Sequence, residues 1–451
     1  MRFAKIFGQL FFLVYGFFSL YFYQERVIFA DSAFQLFKLI NFQNFTFEAN
    51  RYSTVFVQIL PLLAIKFDFS LKAIMMLFSL SYVLVYYLVF LLCVYVLKNA
   101  SAGLLIPVIL ILGVRQSYFH TVTETYQGLV YCVLFYSWYI EQNKIRAGKI
   151  KFYFISLLIV LLCFFAHPVT FFALLFVIIW RLTEMKKPEW STHLFMLVFI
   201  TLIYCLKFFL TTNESYEGKL FSQLFESVTL AFLPSMQFLI GSTYKIYPFL
   251  IIIFSYTIVQ LIKKKRNIQA LVCVSFLIFY TAVGILTFSS SDAVFMMEKN
   301  FLPLVFIVCI PFLELLLKFN HYQLKLILFS SLIYSFCLIA YQGQLFGMGL
   351  KNLNRIMESN ISSKLIIKSN AQTESYGLVK WSLPFETLLL SSMRSAEKSK
   401  TIYFQIGDFH PLNESHITNY FYGPSFWPLW DADLFNKRYF NLQPGTYFEI
   451  N

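Results

Sequence analysis

The sequence predicts an all-α polytopic membrane protein with about 11 transmembrane helices, its N-terminus inside and a small extracytoplasmic α+β domain at its C-terminus. Three observations favour this fold class. Only 13% of the 451 residues are charged and 59% are hydrophobic, whereas a soluble domain has about 25% charged residues. Apolar runs long enough to cross a bilayer recur along the chain. Lys and Arg are concentrated in the short loops between these runs.

The composition also argues against other classes of protein. The net charge of +13 does not predict nucleic-acid binding, because short basic clusters between apolar runs are typical of membrane orientation signals. All seven cysteines lie inside apolar runs, so we expect neither a disulfide framework nor a cysteine metal site. The N-terminus resembles a signal peptide, but no small-residue cleavage site follows it, so we expect an uncleaved first span.

The lengths of the apolar runs and the breaks between them predict eleven spans. One span needs about 20 apolar residues. Residues 152–183 would overshoot one bilayer, and Pro168 is disfavoured in a helix interior, so two short spans are predicted there. The eleven predicted spans are 5–23, 72–97, 102–115, 125–141, 152–166, 168–183, 192–211, 246–262, 268–288, 301–318 and 324–342.

Charge in the loops gives the orientation. With the N-terminus inside, every inside loop contains Lys or Arg, as expected for cytoplasmic loops. The outside loops are mixed or acidic. One missed or extra span would reverse this alternation, so the pattern favours an odd number of spans and an outside C-terminus.

Two long segments are predicted on the outer face. Residues 24–71 form the first loop of a membrane domain that covers 1–343, and the apolar stretch 52–67 is expected to be a helix lying on that face. Residues 344–451 form the C-terminal domain. It contains a helix-like piece, "SLPFETLLLSSMRSAEK", and a strand-like piece, "TIYFQI", which together predict an α+β fold.

Polar residues at the outer ends of spans are the candidates for chemistry, because a charge there must be solvated, paired or in use. Each has a structural alternative. Asp31 suits a helix N-cap, Glu124 suits a helix N-terminus, a histidine at a turn is commonly an interfacial hydrogen-bonding residue, and Glu298 with Lys299 suits an interfacial anchor. The candidates are Asp31, Arg51, His120, Glu124, His167, Glu298 and Lys299.

Carboxylates and cations on one face of a membrane suit a reaction on a lipid-linked phosphate. A carboxylate can take the proton from an acceptor hydroxyl, and cations can stabilise the departing phosphate. The first loop opens with "ADSAFQLF" and continues with "NRYSTVFVQILPLLAIKFDFSLKAIMMLFS", and a late span opens with "EKNFLPLVFIVCIP". These stretches resemble GT-C-type membrane glycosyltransferases that use polyprenyl-phosphate sugars, such as protein mannosyltransferases and lipid A aminoarabinose transferases. Ser32 stands where that family often has a second acid, and Asn300 where it has Tyr.

The resemblance implies an inverting transferase with its site on the extracytoplasmic face, and we expect a multi-pass protein of a bacterial inner membrane. Asp31 would be the catalytic base, Glu124 a second acid, and Lys299 a contact to the donor phosphate. Arg51, His120, His167 and Glu298 would bind substrate. The resemblance also allows a divalent metal ion at Asp31 and Glu124. The implied partners are a polyprenyl-phosphate-linked sugar, membrane lipids and an unspecified glycan, lipid or protein acceptor, with no nucleic acid.

Two other functions stay open at the level of sequence. One is a transporter or flippase of lipid-linked or small polar substrates, and the other is a polysaccharide polymerase. Transporters often contain inverted repeats and helices broken near the midplane, and neither is evident in this sequence. A cavity open to the outer face and lined by Asp31 would favour the transferase, whereas a central cavity between two related halves would favour a transporter.

Overall fold

A computed structural model describes residues 2–145, 148–184, 190–210, 218, 232–287, 294–319, 322–368, 380–405, 419–423 and 429–450. The described chain is mostly helical, and its strands all lie in the C-terminal part. A helix lies at each of the eleven segments predicted as spans. These helices are α1 (Arg2–Tyr21), α5 (Leu71–Leu91), α6 (Ala100–Ile111), α7 (Glu124–Ile145), α8 (Lys149–Phe164), α9 (Thr170–Leu182), α10 (Trp190–Leu210), α12 (Pro248–Lys263), α13 (Asn267–Thr287), α14 (Val294–Phe319) and α15 (Tyr322–Ser359).

In the described part of the chain, six helices are long and apolar enough to cross a membrane, which is the architecture of a membrane protein. They are α1, α5 with its π-helical extension to Val96, α10, α13, α14 and α15. A seventh span is obtained if α12 is joined to α11 (Phe232–Lys245), from which it is bent by 89°. The helices α6, α8 and α9 are apolar but shorter.

The first loop is helical, as predicted. It contains α2 (Tyr23–Val27), α3 (Ala30–Phe42), a 3-10 turn (Tyr52–Thr54) and α4 (Val55–Lys66). The apolar face predicted for α3 is buried, including Phe34, Leu36 and Phe37. Pro61 lies inside α4, so the apolar stretch 52–67 does form a helix despite its proline.

A capping side chain begins α6, and two glycines allow close contacts between neighbouring helices. The side chain of Asn99 accepts the N–H of Ala102 and begins α6, as expected for an N-cap. Gly103 of α6 leaves no room for a Cβ beside Val94, and Gly8 of α1 leaves none beside Phe90. These glycines let α1 and α6 approach the end of α5 closely.

The C-terminal part combines two small sheets with a helix. Parallel strands β1 (Lys364–Lys368), β2 (Thr401–Gln405) and β5 (Phe448–Ile450) form a sheet of order β2-β1-β5, in which Leu365 lies opposite Ile402. The helix α16 (Leu383–Ser392) connects β1 to β2 and has its proline in the first turn. Antiparallel strands β3 (Tyr420–Tyr422) and β4 (Leu429–Asp431) form the second sheet. The predicted strand is therefore confirmed over Thr401–Gln405, with Ile406 outside the described residues, and the predicted helix is confirmed over Leu383–Ser392.

Aromatic side chains join this C-terminal part to the first loop. Phe385 of α16 packs on Phe34 and Phe37 of α3, with ring centroids 5.0 Å apart in both pairs. Phe421 of β3 also stacks on Phe37. The last long helix, α15, continues to Ser359, beyond residue 343 where the predicted membrane domain ends. Both the first loop and the bundle helix α15 therefore contact the C-terminal part.

Candidate functional site

Three of the predicted residues form a connected chain of polar side chains. Asp31, in the first turn of α3, has its Oδ2 2.7 Å from Nε2 of His120. His120 lies in the segment between α6 and α7, and its Nδ1 is 3.4 Å from Nζ of Lys299 in α14. Residues that are far apart in sequence thus form the series Asp31–His120–Lys299.

Asp31 is partly exposed, whereas the other two side chains of the series are buried. His120 is fully buried, whereas 41% of the Asp31 side chain is exposed. Lys299 is buried, with 7% of its surface exposed. Oδ2 of Asp31 is taken by His120, and Oδ1 accepts no hydrogen bond from the residues that the structure describes. One carboxylate oxygen is therefore available to an incoming hydroxyl.

The charges and the burial around His120 and Asp31 indicate the protonation state of each side chain. Burial, followed by the charge of Lys299, lowers the pKa of His120, although Asp31 and Glu124 oppose the shift. The imidazole is then neutral at pH 7, so we assign Nε2–H as the donor to Asp31 and Nδ1 as the acceptor from Lys299. For Asp31, burial raises the pKa, but the His120 contact and the charges of Lys299 and Arg51 outweigh it and lower the pKa. Asp31 is therefore an ionised carboxylate.

A second acid–base pair lies beside the first. Arg51, which precedes the 3-10 turn of the first loop, places its guanidinium 2.9 Å from the carboxylate of Glu124. Glu124 is the first residue of α7 and is buried. The charges of both residues act on Lys299, and that of Arg51 also acts on Asp31. The two pairs therefore form one cluster, which we call the polar cluster: Asp31, Arg51, His120, Glu124 and Lys299.

His167 lies near this cluster without a hydrogen bond to it. Burial, then the charges of Arg51, Lys299 and Lys207, lower the pKa of His167 well below its usual value. Its Nδ1 accepts the N–H of Val169, 3.3 Å away, within its own turn. His167 therefore contributes to the wall of the site as a neutral ring close to the cations.

Glu298 has a different environment from its neighbour Lys299. One oxygen of its carboxylate accepts the N–H groups of Arg115 and Ser117 at 3.0 and 2.8 Å, together with the Ser117 hydroxyl. The other oxygen accepts the hydroxyl of Tyr247, at the start of α12. This geometry favours a structural role in which Glu298 fixes the segment before His120, rather than the substrate contact predicted from the sequence.

The structural alternative for Asp31 is wrong, because Asp31 does not cap its own helix. The N-cap residue of α3 is Phe29, which has no side-chain cap. Instead the N–H of Ala30 donates to Oε1 of Glu386 in α16, 2.8 Å away. Ala30 has a left-handed φ of 47°, a conformation that costs a non-glycine residue about 1–2 kcal/mol.

Sequence reasoning missed the residues that hold these loops together. Buried Arg26 donates to Oγ of Ser79 and to the carbonyl of Tyr118, both at 2.8 Å. Ser32 accepts the N–H of Val122, so its hydroxyl ties α3 to the His120 segment. A basic residue at the end of an apolar run was the available signal for Arg26. For Glu386, the local sequence shows only a carboxylate in the first turn of a predicted helix, which does not indicate a contact with α3.

The residues present do not fit a divalent metal ion. Asp31 is hydrogen-bonded to His120, Glu124 is paired with Arg51, and Lys299 adds a further positive charge. The described residues contain no group of three or more His, Cys, Asp or Glu side chains that could hold a metal ion. We therefore derive no chemical step through a metal at Asp31 and Glu124.

An apolar cavity of about 540 Å³ elsewhere in the described helices does not belong to the polar cluster. It lies between α1 and α15 and is lined by side chains such as Phe11 and Phe336. At the end nearer His120, Phe22 packs on Gly343 so closely that a Cβ would not fit there. Packed side chains therefore separate this cavity from the cluster.

The polar cluster offers an ionised carboxylate with one available oxygen, next to two cations and a neutral histidine. This arrangement can accept a proton from a hydroxyl and hold a phosphate at the same place. No protein-family model, curated protein or solved structure matches this chain.

Proposed function

We propose that this chain is a membrane glycosyltransferase that moves a sugar from a polyprenyl-phosphate donor to an acceptor hydroxyl, with inversion at the anomeric carbon. The observation that supports it most is the series Asp31–His120–Lys299. It places a partly exposed carboxylate and a buried ammonium on opposite sides of one imidazole. A reaction that deprotonates one oxygen and releases another as phosphate needs both charges.

In the proposed reaction the acceptor oxygen attacks the anomeric carbon while the bond from that carbon to the phosphate oxygen breaks. The hydroxyl becomes strongly acidic as the new bond forms, so a carboxylate with a low pKa can take the proton late in the step. Asp31 receives this proton on Oδ1, and polyprenyl phosphate leaves with both electrons of the broken bond. The Nε2–H of His120 holds the Asp31 carboxylate in place.

Lys299 and Arg51 are the cations that we assign to the donor phosphate. Lys299 lies 3.4 Å from the neutral Nδ1 of His120, a weak partner that a phosphate oxygen can replace. Arg51 is already paired with Glu124 at 2.9 Å, so a phosphate must share it. Lys299 is therefore the main phosphate contact, and it stabilises the charge that develops on the leaving group.

Contacts in the polar cluster support the count of eleven spans and a single outer face. Asp31 touches His120, so the chain between them must cross the membrane an even number of times. If the long helix α5 crossed alone, these residues would lie on opposite sides, and the short helix α6 supplies the second crossing. Between Glu124 and Lys299, which interact electrostatically, lie six helices that match predicted spans, namely α7 to α10, α12 and α13, whereas α11 matches none of them. That also is an even number.

We place the polar cluster on the extracytoplasmic face of a bacterial inner membrane, with the N-terminus inside. The support is the alternation of basic loops along the sequence, because loops rich in Lys and Arg are typical of the cytoplasmic side. The C-terminal domain, 344–451, would then cover this outer face.

Reconstitution tests the proposal. Purified protein in lipid vesicles is supplied with a series of polyprenyl-phosphate sugars and candidate acceptors, and the release of polyprenyl phosphate is measured together with the anomeric configuration of the product. We expect release that depends on an acceptor, with an inverted product. Movement of the intact lipid-linked sugar across the bilayer without release would instead identify a flippase.

A further inference from the structure

The N-terminus of α3 is completed by a residue from the other end of the chain. A helix begins with N–H groups that have no partner in their own helix. At α3 the N-cap Phe29 offers no side-chain acceptor, and the buried N–H of Ala30 donates to Glu386, 356 positions later. The acceptor that this helix lacks is therefore supplied by α16 of the C-terminal domain.

Glu386 is itself held in place. Its Oε1 also accepts the hydroxyl of Ser382, 2.6 Å away, one turn earlier in the chain. The residue is buried, with 3% of its surface exposed. Phe385, next to it, packs on Phe34 and Phe37 of α3. The carboxyl group is thus rigidly placed against the start of α3.

This contact bears directly on the partner of Asp31. Asp31 directly follows Ala30 in the first turn of α3. Ala30 has a left-handed φ of 47°, which non-glycine residues rarely adopt, and the bond from its N–H to Glu386 holds the backbone in this conformation. Because the backbone at Ala30 sets the direction in which the next side chain leaves α3, the bond to Glu386 bears on the 2.7 Å contact of Asp31 with His120.

We propose that Glu386 is a positioning residue for the candidate site: it caps α3 from the C-terminal domain and so keeps Asp31 directed at His120. The catalytic consequence rests on the proposed glycosyl transfer, whereas the positioning itself does not. The proposal gives the C-terminal domain a role in completing the site, because the site lacks this acceptor without it.

Three variants of the full-length protein in lipid nanodiscs test the proposal. Glu386→Ala removes the acceptor, Glu386→Gln keeps an oxygen that accepts an N–H, and Glu397→Ala is the control, since Glu397 is an exposed carboxylate of the same domain. Hydrogen exchange of a peptide spanning 28–33 reports the cap. The pKa of His120, followed by NMR of labelled histidine and assigned with His120→Gln, reports its contact with Asp31.

We expect Glu386→Ala to speed exchange in this peptide about fivefold, as for loss of a cap, and to lower the pKa of His120, because the Asp31 carboxylate that raises it moves away. Turnover should fall on the order of tenfold or more, since small misplacements are costly, with an unchanged KM for the donor. Glu386→Gln should restore exchange, titration and turnover to near wild-type values.

Unchanged exchange and an unchanged His120 titration in Glu386→Ala would overturn the proposal. Equal damage from Glu386→Gln and Glu386→Ala would also overturn it, because the amide oxygen can still cap. If the wild-type protein transfers no sugar, the proposed function fails, but exchange and titration still decide whether Glu386 positions Asp31.

Discussion

Asp31 shows how burial and neighbours assign a role to one carboxylate. At the start of a helix it has the position of a capping residue, yet its hydrogen bond runs to His120 in another segment. The contact with His120 and the cations Lys299 and Arg51 keep it ionised, and 41% of its side chain is exposed. A carboxylate that only stabilised its helix would need neither a histidine partner nor an oxygen left available for a substrate.

Asp31→Asn is expected to abolish most of the sugar transfer without unfolding the protein. The amide oxygen of Asn can still accept the Nε2–H of His120, so the local geometry is kept, but Asn cannot take a proton. Loss of a general base typically costs about 10²–10⁴-fold in rate. The measurement is the rate of polyprenyl phosphate release, with expression level and thermal unfolding as checks on folding.

Asp68→Asn is the matched control for this substitution. Asp68 is an exposed carboxylate paired with Arg438 on the surface, and surface ion pairs contribute little. It should keep normal turnover. Full activity in a well-folded Asp31→Asn protein would remove Asp31 from the mechanism.

Lys299→Ala is expected to weaken use of the lipid donor. A hydrogen bond to a charged group contributes about 1.5–3 kcal/mol, so the KM for the donor should rise by about 10- to 150-fold, with a smaller change for the acceptor. Lys72→Ala serves as the control, because Lys72 is an exposed lysine at the start of α5. An unchanged donor KM would leave Lys299 as an interfacial anchor.

Among the elements, the helices could be predicted but their contacts could not. Apolar runs of sufficient length predicted the positions of the bundle helices. In hydrocarbon the backbone N–H and C=O groups of such a run have no water to bind, so they form hydrogen bonds with each other in a helix. The end of α15 was missed: the sequence becomes polar and glycine-rich after 342, yet the helix continues to Ser359. A glycine near the end of an apolar run suggests the end of a helix. Gly343 instead lies inside α15 and makes room for the ring of Phe22, so its presence is explained by a tertiary contact.

The candidate site was only partly predictable for the same reason. Asp31, His120 and Lys299 could be selected singly, since polar residues at the ends of spans are conspicuous. Their order in space depends on how α3, α6 and α14 meet, which no local pattern encodes. The contact between Glu386 and Ala30 spans 356 positions, and it depends on how the C-terminal part of the chain packs on the first loop.

The docking of α16 on α3 is expected to depend on pH through Glu386. Burial raises the pKa of Glu386 from 4.5 to about 7, although Ser382 and the Ala30 N–H oppose the shift. A group whose pKa is raised on folding contributes stability that is present below pH 4.5 and is lost as the pH rises through about 7. Hydrogen exchange of residues 28–33 should therefore quicken between pH 4.5 and 7, after correction for the intrinsic rate.

Glu386→Gln provides the comparison, because glutamine does not ionise in this range. Its corrected exchange in the same peptide should not quicken over this interval, and the difference between the two proteins isolates the contribution of Glu386. Parallel pH profiles for the two proteins would show that Glu386 does not titrate there.

At the scale of the whole molecule, the proposed mechanism requires all parts of the polar cluster and the C-terminal domain to be on one side of the membrane. The even number of helices between contacting residues is consistent with this arrangement. It requires the short helix α6 to cross, whereas α8 and α9 keep the number even only if both cross or neither does. A count limited to the six long helices would separate Asp31 from His120, although the two side chains are 2.7 Å apart. The side of the membrane on which each loop lies therefore decides between the two counts of spans.

Topology mapping in intact cells shows on which side of the membrane each loop lies. We expect a phosphatase that is active only outside to work when fused after residue 451, and a fluorescent protein that matures only inside to stay dark there, because basic residues mark the opposite loops as cytoplasmic. Asp68→Cys should react with a membrane-impermeant maleimide added to intact cells. Lys265→Cys, in the basic loop between α12 and α13, should react only after the membrane is permeabilised. A fluorescent C-terminal fusion, or labelling of Lys265→Cys from outside, would contradict both the eleven-span arrangement and an extracytoplasmic site.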